Sequence, residues 1–393
     1  MSERTGIVVL GASGSIGAST LDVIAELDDR FEIVGLSCET KWRELAAIAV
    51  QVQPQAVAVA SLKAYNEAVE AAAFGPGIRC LAGPDGVAEL ATWDGADVVL
   101  NGVVGAAGLP ATLAALEAGK RVALANKESL VVGGDLVMGA ARPGQLLPVD
   151  SEHSAIWQLL SLRPGERPRR IVLTASGGPF RGMPTEELAA VDARNALDHP
   201  TWSMGPKITI DSATLANKGL EIIEAHHFFG VAYDEIDVVV HPQSIVHGMV
   251  EWPDGGLFAE LSEPNMRSPI RAALTYPDHV PSAKQVDITR LSGLTFEAPD
   301  EERFPALGLA RAAGETGGTA PAVFNAANEV AVGAFLANQI GFLEIASLCE
   351  RVLGEHQAEN ASSVEVLMAA DAWARQRVSD WAGIERTPTA TSG

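Results

Sequence analysis

Cysteines, basic side chains and long apolar runs are all scarce in this chain. The three cysteines, Cys38, Cys80 and Cys349, are odd in number and far apart, which excludes a disulfide framework and any cysteine-based metal spacing. Such a chain suits a reducing cytoplasm. Lys and Arg number 28 against 50 Asp and Glu, for a net charge of −22 at pH 7. Neither nucleic acid nor an anionic membrane surface is therefore the expected partner, because both are bound through basic patches. The longest apolar stretch, 95–119, is interrupted by Asp97, Asn101 and Pro110 and is mostly Ala and Gly, so no membrane span is expected. The opening MSERTGIVVLG has no basic start and meets glycine at once, which fits a first strand and not a targeting segment.

What the chain does have is 393 residues and a mean hydropathy of +0.15, sufficient for two or three packed domains. From 6 to 149, β-branched runs alternate with amphipathic segments: GIVVLG (6–11), helix 15–27, FEIVGLS (31–37), helix 42–52, QAVAVA (55–60) and helix 62–73. Further pairs surround DVVLNG (97–102), RVALAN (121–126) and QLLPV (145–149). This alternation predicts an α/β fold whose N-terminal domain, 1–149, is a doubly wound, Rossmann-like sheet with its ligand at the carboxyl ends of the strands.

After 150 the pattern changes. RRIVLTAS (169–176), IDVVVH (236–241), IVHGMVEW (245–252) and GLFAEL (256–261) read as strands, the last two joined at Pro253-Asp254-Gly255, and predict a central α+β domain over 150–276. A proline-bearing linker, 277–304, leads to helical periodicity at 305–313, 321–338, 342–354 and 364–382, a C-terminal helical domain over 305–393.

Three carboxylates carry the chemistry. Asp150 and Glu152 flank Ser151 at the end of an apolar strand, and in an extended segment i and i+2 leave on one face. Asn217, Lys218 and Glu221, in NKGLE, share a face in helical geometry. Hard oxygen donors in that number suit Mg²⁺ or Mn²⁺, with Co²⁺ a further candidate, better than zinc. The plain alternatives are helix capping for Asp150 and Glu152 and an ordinary Lys218 ion pair for Glu221.

Other polar residues collect at turns. Ser176, before Gly177 and Gly178, offers a hydroxyl and backbone donors that Ser212, Asn217 and Lys218 can join around a phosphate. His199 and Trp202 lie in a Pro- and Gly-bracketed stretch, 198–206, that reads as a flexible lid. Asn126, Lys127 and Glu128 end another strand, where a lysine can reach a cofactor ring or a metal-bound oxygen; a helix N-terminus with an acidic first turn is the plain alternative.

Gly11, Gly14 and Gly17, with Ser13 and Ser15, lie between the first strand and helix, where a pyrophosphate can meet backbone N–H groups. The spacing is G-x-x-G-x-x-G, for which cofactor binding and a tight turn are both open on motif alone. At the end of the second strand, Glu39 suits the 2′-hydroxyl of NAD, whereas Ser37, Thr40, Lys41 and Arg43 suit the 2′-phosphate of NADP. The residues leave that choice open.

Taken together, GASGSIGASTLDVI, LANKESLV, LLPVDSEHSAIWQ, TASGGPF, HPTWSMGPKITIDSATLANKGLE, HPQSIVHGMV and FNAANEVAV resemble the 1-deoxy-D-xylulose 5-phosphate reductoisomerase family nearly end to end. The resemblance implies an NADPH- and divalent-metal-dependent oxidoreductase. Its reaction converts 1-deoxy-D-xylulose 5-phosphate to 2-C-methyl-D-erythritol 4-phosphate in isoprenoid precursor synthesis, by retro-aldol and aldol steps or by a 1,2-shift. It also implies a cytoplasmic homodimer.

Carried over by position, Asp150, Glu152 and Glu221 are metal ligands and catalytic with Lys127. Lys127 and Ser151 stand at the reacting end of the substrate, and Ser176, His199, Ser212, Asn217 and Lys218 at the rest of it. Ser13, Gly14, Ser15, Ile16, Asn126, Glu128 and Gly205 are cofactor positions, with Glu39 and Lys41 at the adenosine end, and Trp202 and Met204 belong to the lid. Glu39-Thr40-Lys41 stands where many members carry Gly-Lys-Asn, which leaves NADPH preference over NADH open. The alternatives are a simple NAD(P)-dependent dehydrogenase of a small phosphorylated or hydroxy-acid substrate, and a non-catalytic dinucleotide-binding regulator.

Overall fold

Seven short runs, each leading toward a helix, assemble side by side. The computed structural model describes residues 4–384 apart from 28, 198–200, 203, 283–284 and 292. β1 (Thr5–Leu10), β2 (Phe31–Cys38), β3 (Ala56–Val59), β4 (Arg79–Ala82), β5 (Val98–Asn101), β6 (Arg121–Leu124) and β7 (Leu146–Pro148) form one sheet in the order β4-β3-β2-β1-β5-β6-β7. Every pairing in it is parallel.

Alternate residues feed the two faces of this sheet. Ile7, Val9, Val57 and Leu100 pack with Ile24 and Leu45 on one side, and Val8, Leu10 and Val99 with Leu90 and Leu116 on the other. Strand order reverses between β1 and β5, which opens a crevice at their carboxyl ends. β4 and the helix Gly83–Ala91 have no counterpart in the sequence reading. The run Arg79–Ala82 is too short and too mixed to announce a strand, and only pairing with β3 makes it one.

A second sheet, in the order β11-β10-β8-β9, contains β8 (Arg170–Ala175), β9 (Ile236–Val240), β10 (Val246–Glu251) and β11 (Leu257–Leu261). Each strand lies within one residue of the apolar run that predicts it. β10 is antiparallel to both neighbours and β8 is parallel to β9. Gly255, at φ 86°, turns the β10–β11 hairpin and donates its N–H to Trp252 O at 2.9 Å.

The four C-terminal helices, Ala306–Thr316, Ala320–Leu336, Phe342–Glu355 and Val364–Ala382, share one hydrophobic cluster with this sheet. Phe324, Phe335 and Ile345 are in it together with Ile171, Leu173 and Ile222. The helix Arg267–Thr275, placed by sequence in the central region, turns back to the first sheet. Ile270, Ala273 and Leu274 enter the core there, and Arg267 and Arg271 pair with Asp22 and Glu26. In the stretch that follows, Glu297 bridges to Val240 of β9. Among the described residues no helix is long and apolar enough to cross a membrane.

Candidate functional site

Three chain segments bring charge to one buried point. Lys127 stands just before the helix Glu128–Ala140 after β6, and Asp150 caps the helix Ser151–Ser161 after β7. The third segment is the helix Ala216–Phe229, which carries Asn217, Lys218 and Glu221. Leu215, at φ 61°, redirects the chain from the preceding helix, Pro206–Ala213, into this one. A non-glycine residue in that region is held there by its surroundings; here Leu215 is buried in the second core.

Asp150, Glu152 and Glu221 each present a carboxylate oxygen within 4.8 Å of the others. The route differs from the extended-strand geometry expected for Asp150 and Glu152. The helix begins at Ser151, and Asp150 accepts the Glu152 N–H at 3.2 Å. Capping and clustering, posed as alternatives, are met by the same side chain. The expected helical face of Asn217, Lys218 and Glu221 is present, with Asn217 Nδ2 donating to Glu221 Oε1 at 2.5 Å. Ser151 Oγ donates to Glu152 Oε2 at 2.5 Å.

Two ammonium groups sit among these carboxylates. Lys127 Nζ donates to Asp150 Oδ2 at 2.6 Å and to Asn217 Oδ1 and Glu221 Oε1, each at 2.9 Å. Lys218 Nζ donates to Glu152 Oε1 at 2.7 Å and also to Glu221. Burial alone would lower both lysine pKa values. The neighbouring carboxylates outweigh it, Asp150 and Glu221 at Lys127 and Glu152 and Glu221 at Lys218, and raise them. Burial works against the Asp150 carboxylate too, but Lys127 holds its pKa well below the usual range. At Glu221, burial followed by Asp150 and Glu152 pushes the carboxyl up against both lysines. A cluster of hard oxygens that gathers two cations of its own is a fitting cage for a divalent one.

Two buried side chains behind the cluster are absent from the sequence reading. His153 Nδ1 lies 3.0 Å from Asp150 Oδ1 and Nε2 lies 3.1 Å from the Glu221 carbonyl. Glu224 is fully buried, and its Oε2 is 3.4 Å from His153 Nε2. Burial pushes the Glu224 carboxyl up to about 8. His153 is raised to about 9, because Glu224 and Asp150 outweigh the burial that would lower it. The i,i+3 spacings Asp150/His153 and Glu221/Glu224 were the available signal, since each pair shares a helix face.

Ser176 and Ser212 meet, with their hydroxyls 3.3 Å apart, and Gly178 donates its N–H to Ser176 Oγ at 3.3 Å. Gly178, at φ +66°, packs so closely on Ser212 and Ala213 that a Cβ would come within 2.8 Å of Ala213 Cα. The structure thus brings together Ser176 and Ser212, two of the four residues expected around a phosphate. His199 lies outside the described residues. The Trp202 ring stands edge-on to His247, with centroids 6.0 Å apart, and Met204 and Gly205 lead into the helix Pro206–Ala213.

At the carboxyl end of β1, Gly11 takes φ +80° with room for no Cβ against the Gly102 carbonyl. Gly14 is the N-cap of the helix Ser15–Glu26, without a side-chain cap. Ser13, Ser15 and Ile16 surround that turn, which is the shape of a pyrophosphate cradle at a helix N-terminus. Asn126 is also a centre of internal hydrogen bonds. Its Nδ2 donates to Val103 O at 2.7 Å, Gly105 O at 2.9 Å and Glu128 Oε2 at 3.0 Å, tying down the loop after β5. At the adenosine end, Glu39 is exposed, and Lys41 Nζ lies 3.6 Å from Glu44 with both side chains largely exposed.

Known proteins share this fold over nearly the whole chain. Sequence profiles for 1-deoxy-D-xylulose 5-phosphate reductoisomerase, its C-terminal domain and the DXP reductoisomerase C-terminal domain match residues 7–134, 146–229 and 261–377. The 1-deoxy-D-xylulose 5-phosphate reductoisomerase of Chlorobium chlorochromatii is 51% identical over 374 residues, covering 93% of this chain and 97% of its own. That of Thermosynechococcus vestitus is 47% identical over 380 residues, covering 95% and 92%. The solved Zymomonas mobilis enzyme in complex with NADPH superposes with a TM-score of 0.88 at 44% identity, over 98% of this chain and all 100% of that one. A DOX-P reductoisomerase in complex with NADPH, fosmidomycin and magnesium gives 0.89 at 37% identity, over 97% and 98%.

Proposed function

The chain belongs to the 1-deoxy-D-xylulose 5-phosphate reductoisomerase family, and we infer that the cluster around Glu221 is where it performs that family's reaction. It is an NADPH-dependent oxidoreductase that converts 1-deoxy-D-xylulose 5-phosphate to 2-C-methyl-D-erythritol 4-phosphate with a divalent metal, in isoprenoid synthesis. The observation that carries the site is the buried meeting of Asp150, Glu152 and Glu221.

Asp150, Glu152 and Glu221 would hold the cation, with Ser151 beside them. A divalent ion there supplies a Lewis acid to the adjacent carbonyl and hydroxyl oxygens of the substrate. Lys127 and Lys218 now offset part of the charge of the three carboxylates; with a divalent ion there, their N–H groups would be available to the anionic substrate. Lys127, the nearer to Asp150, is held protonated and can donate to an oxygen on which negative charge develops. Lys218, Asn217, Ser176 and Ser212 grip the phosphate end, with His199 proposed beside them. The phosphate grip keeps two carbon fragments together if the carbon skeleton is cut and rejoined. His153, backed by Glu224, fixes the orientation of Asp150.

NADPH, the hydride donor, would lie across the β1/β5 crevice with its pyrophosphate over Ser13, Gly14, Ser15 and Ile16. Asn126, Glu128 and Gly205 stand further along it. Product analysis tests this reading. A branched-chain tetritol phosphate is expected, whereas an unrearranged reduced pentitol phosphate would mark a plain dehydrogenase.

At the adenosine end, Glu39 opposes a 2′-phosphate. Glu39→Gln should raise the NADPH-to-NADH ratio of kcat/KM about fivefold, the factor carried by about 1 kcal/mol of like-charge repulsion at an exposed site. An unchanged ratio would place Glu39 away from the cofactor.

A homodimeric, cytoplasmic enzyme completes the proposal. The outer edge of β11, with Leu257 and Leu261 exposed, supports a partner, since free sheet edges are normally covered. The three free cysteines support a reducing compartment.

A further inference from the structure

We propose that Lys207 is a positioning residue that couples the cofactor end of the site to its phosphate end. The inference rests on the reading above, in which Glu128 lies on the cofactor side and Ser212 on the substrate side. Lys207 stands in the first turn of the helix Pro206–Ala213, which carries Gly205 as its N-cap and Ser212 near its end.

Nothing local to that helix favours a lysine there. A cation in the first turn opposes the helix dipole, and a lysine placed N-terminal to its acidic partner at i,i+4 is the weaker orientation. Its partners explain it instead. Nζ donates to Asp211 Oδ2 at 2.9 Å on its own helix and to Glu128 Oε1 at 3.2 Å on the helix after β6. The other oxygen of each carboxylate is also engaged. Asp211 Oδ1 accepts from Asn328 Nδ2 at 2.7 Å, and Glu128 Oε2 accepts from Asn126 Nδ2 at 3.0 Å.

The chain Asn126, Glu128, Lys207, Asp211 and Asn328 therefore joins three elements: the cofactor-side helix Glu128–Ala140, the helix bearing Ser212, and the C-terminal helix Ala320–Leu336. Asp211 and Asn328 are buried, so the link is held in a setting where an unpaired charge is costly. Burial opposes the Lys207 charge, but Asp211, Glu128 and Glu329 outweigh it. Asn126 extends the link to the loop after β5 through Val103 and Gly105. A ligand that fixes Asn126 and Glu128 thereby fixes the helix that presents Ser212, and by reciprocity a phosphate at Ser212 steadies the cofactor end.

The test is a titration of NADPH, followed by its fluorescence, with and without saturating inorganic phosphate as the probe of the substrate end. Wild-type protein should bind NADPH about fivefold or more tightly with phosphate present, within the usual range of coupling factors. Lys207→Met should bring that factor below about twofold, and raise KM for the sugar phosphate more than it lowers kcat. Lys207→Arg, which can still reach both carboxylates, should restore the coupling. If Lys207→Met does not fold, Lys207→Gln takes its place in the same titration. A folded variant with wild-type coupling, or a wild-type protein with none, would overturn the inference. Failure of the family reading is distinguishable, since wild-type protein would then not oxidise NADPH with 1-deoxy-D-xylulose 5-phosphate at all.

Discussion

Glu221→Gln should lower kcat on the order of a thousandfold, the upper range for loss of one group that stabilises transition-state charge, while the protein stays folded. Glu221 is the carboxylate shared by both lysines and one of the three that converge. A glutamine keeps its size and loses its charge. The expected stability effect has an unusual sign. Burial and the neighbours Asp150 and Glu152 raise the Glu221 pKa in the folded protein. A carboxyl raised on folding contributes stability that is present below its unfolded pKa and lost as pH rises through the folded value. At neutral pH its ionisation therefore works against the metal-free fold.

In chelator, the Tm of Glu221→Gln should accordingly be no lower than that of wild type. Added Mg²⁺ should raise the wild-type Tm by mass action and leave the variant unmoved. Thermal scans with and without Mg²⁺ check both statements independently of turnover. An equal Mg²⁺ shift in the two proteins, or near-normal activity in the variant at saturating Mg²⁺, would remove Glu221 from the ligand set.

Lys218→Ala should raise KM for the sugar phosphate by about thirtyfold or more and change the Kd for NADPH by less than about threefold. The lower bound corresponds to about 2 kcal/mol, the least expected when one partner of a buried charge contact is truncated. The side chain is buried and bonded to Glu152 and Glu221, so its removal also leaves those carboxylates short of a cation. Tm should fall in chelator and recover in part with Mg²⁺. Steady-state kinetics and NADPH titration separate the two affinities. Equal losses in both would take Lys218 out of the phosphate grip.

Much of this architecture is legible in the sequence because the relevant signals are local. The strands of the second sheet are short apolar runs bounded by turn residues, and their ends fall where those runs end. The face shared by Asn217, Lys218 and Glu221 follows from helical spacing alone. The site as a meeting of three segments was available only through resemblance to a family, because no local rule brings Lys127 to Asp150 and Glu221.

Two kinds of feature escaped. His153 and Glu224 are not singled out by the sequence, since a buried histidine reveals its partners only when the packing is known. Asn126, Glu128 and Lys207 belong to a network whose links span 79 residues between Lys207 and Glu128 and 117 between Asn328 and Asp211. The return of helix Arg267–Thr275 to the first sheet is a tertiary choice of the same kind. Its apolar side chains, Ile270, Ala273 and Leu274, fit either core by composition, and the pairs Arg267 with Asp22 and Arg271 with Glu26 become visible only once the helix is docked.

The central claim is that a divalent cation and NADPH act together on 1-deoxy-D-xylulose 5-phosphate at this carboxylate cluster. The most direct measurement is NADPH oxidation followed at 340 nm with that substrate, comparing NADPH with NADH in Mg²⁺, in Mn²⁺ and in chelator. The account predicts oxidation that requires both the sugar phosphate and a divalent metal, disappears in chelator and returns when the metal is restored. Folded protein that oxidises neither cofactor under any metal, or that turns over equally well in chelator, would contradict it.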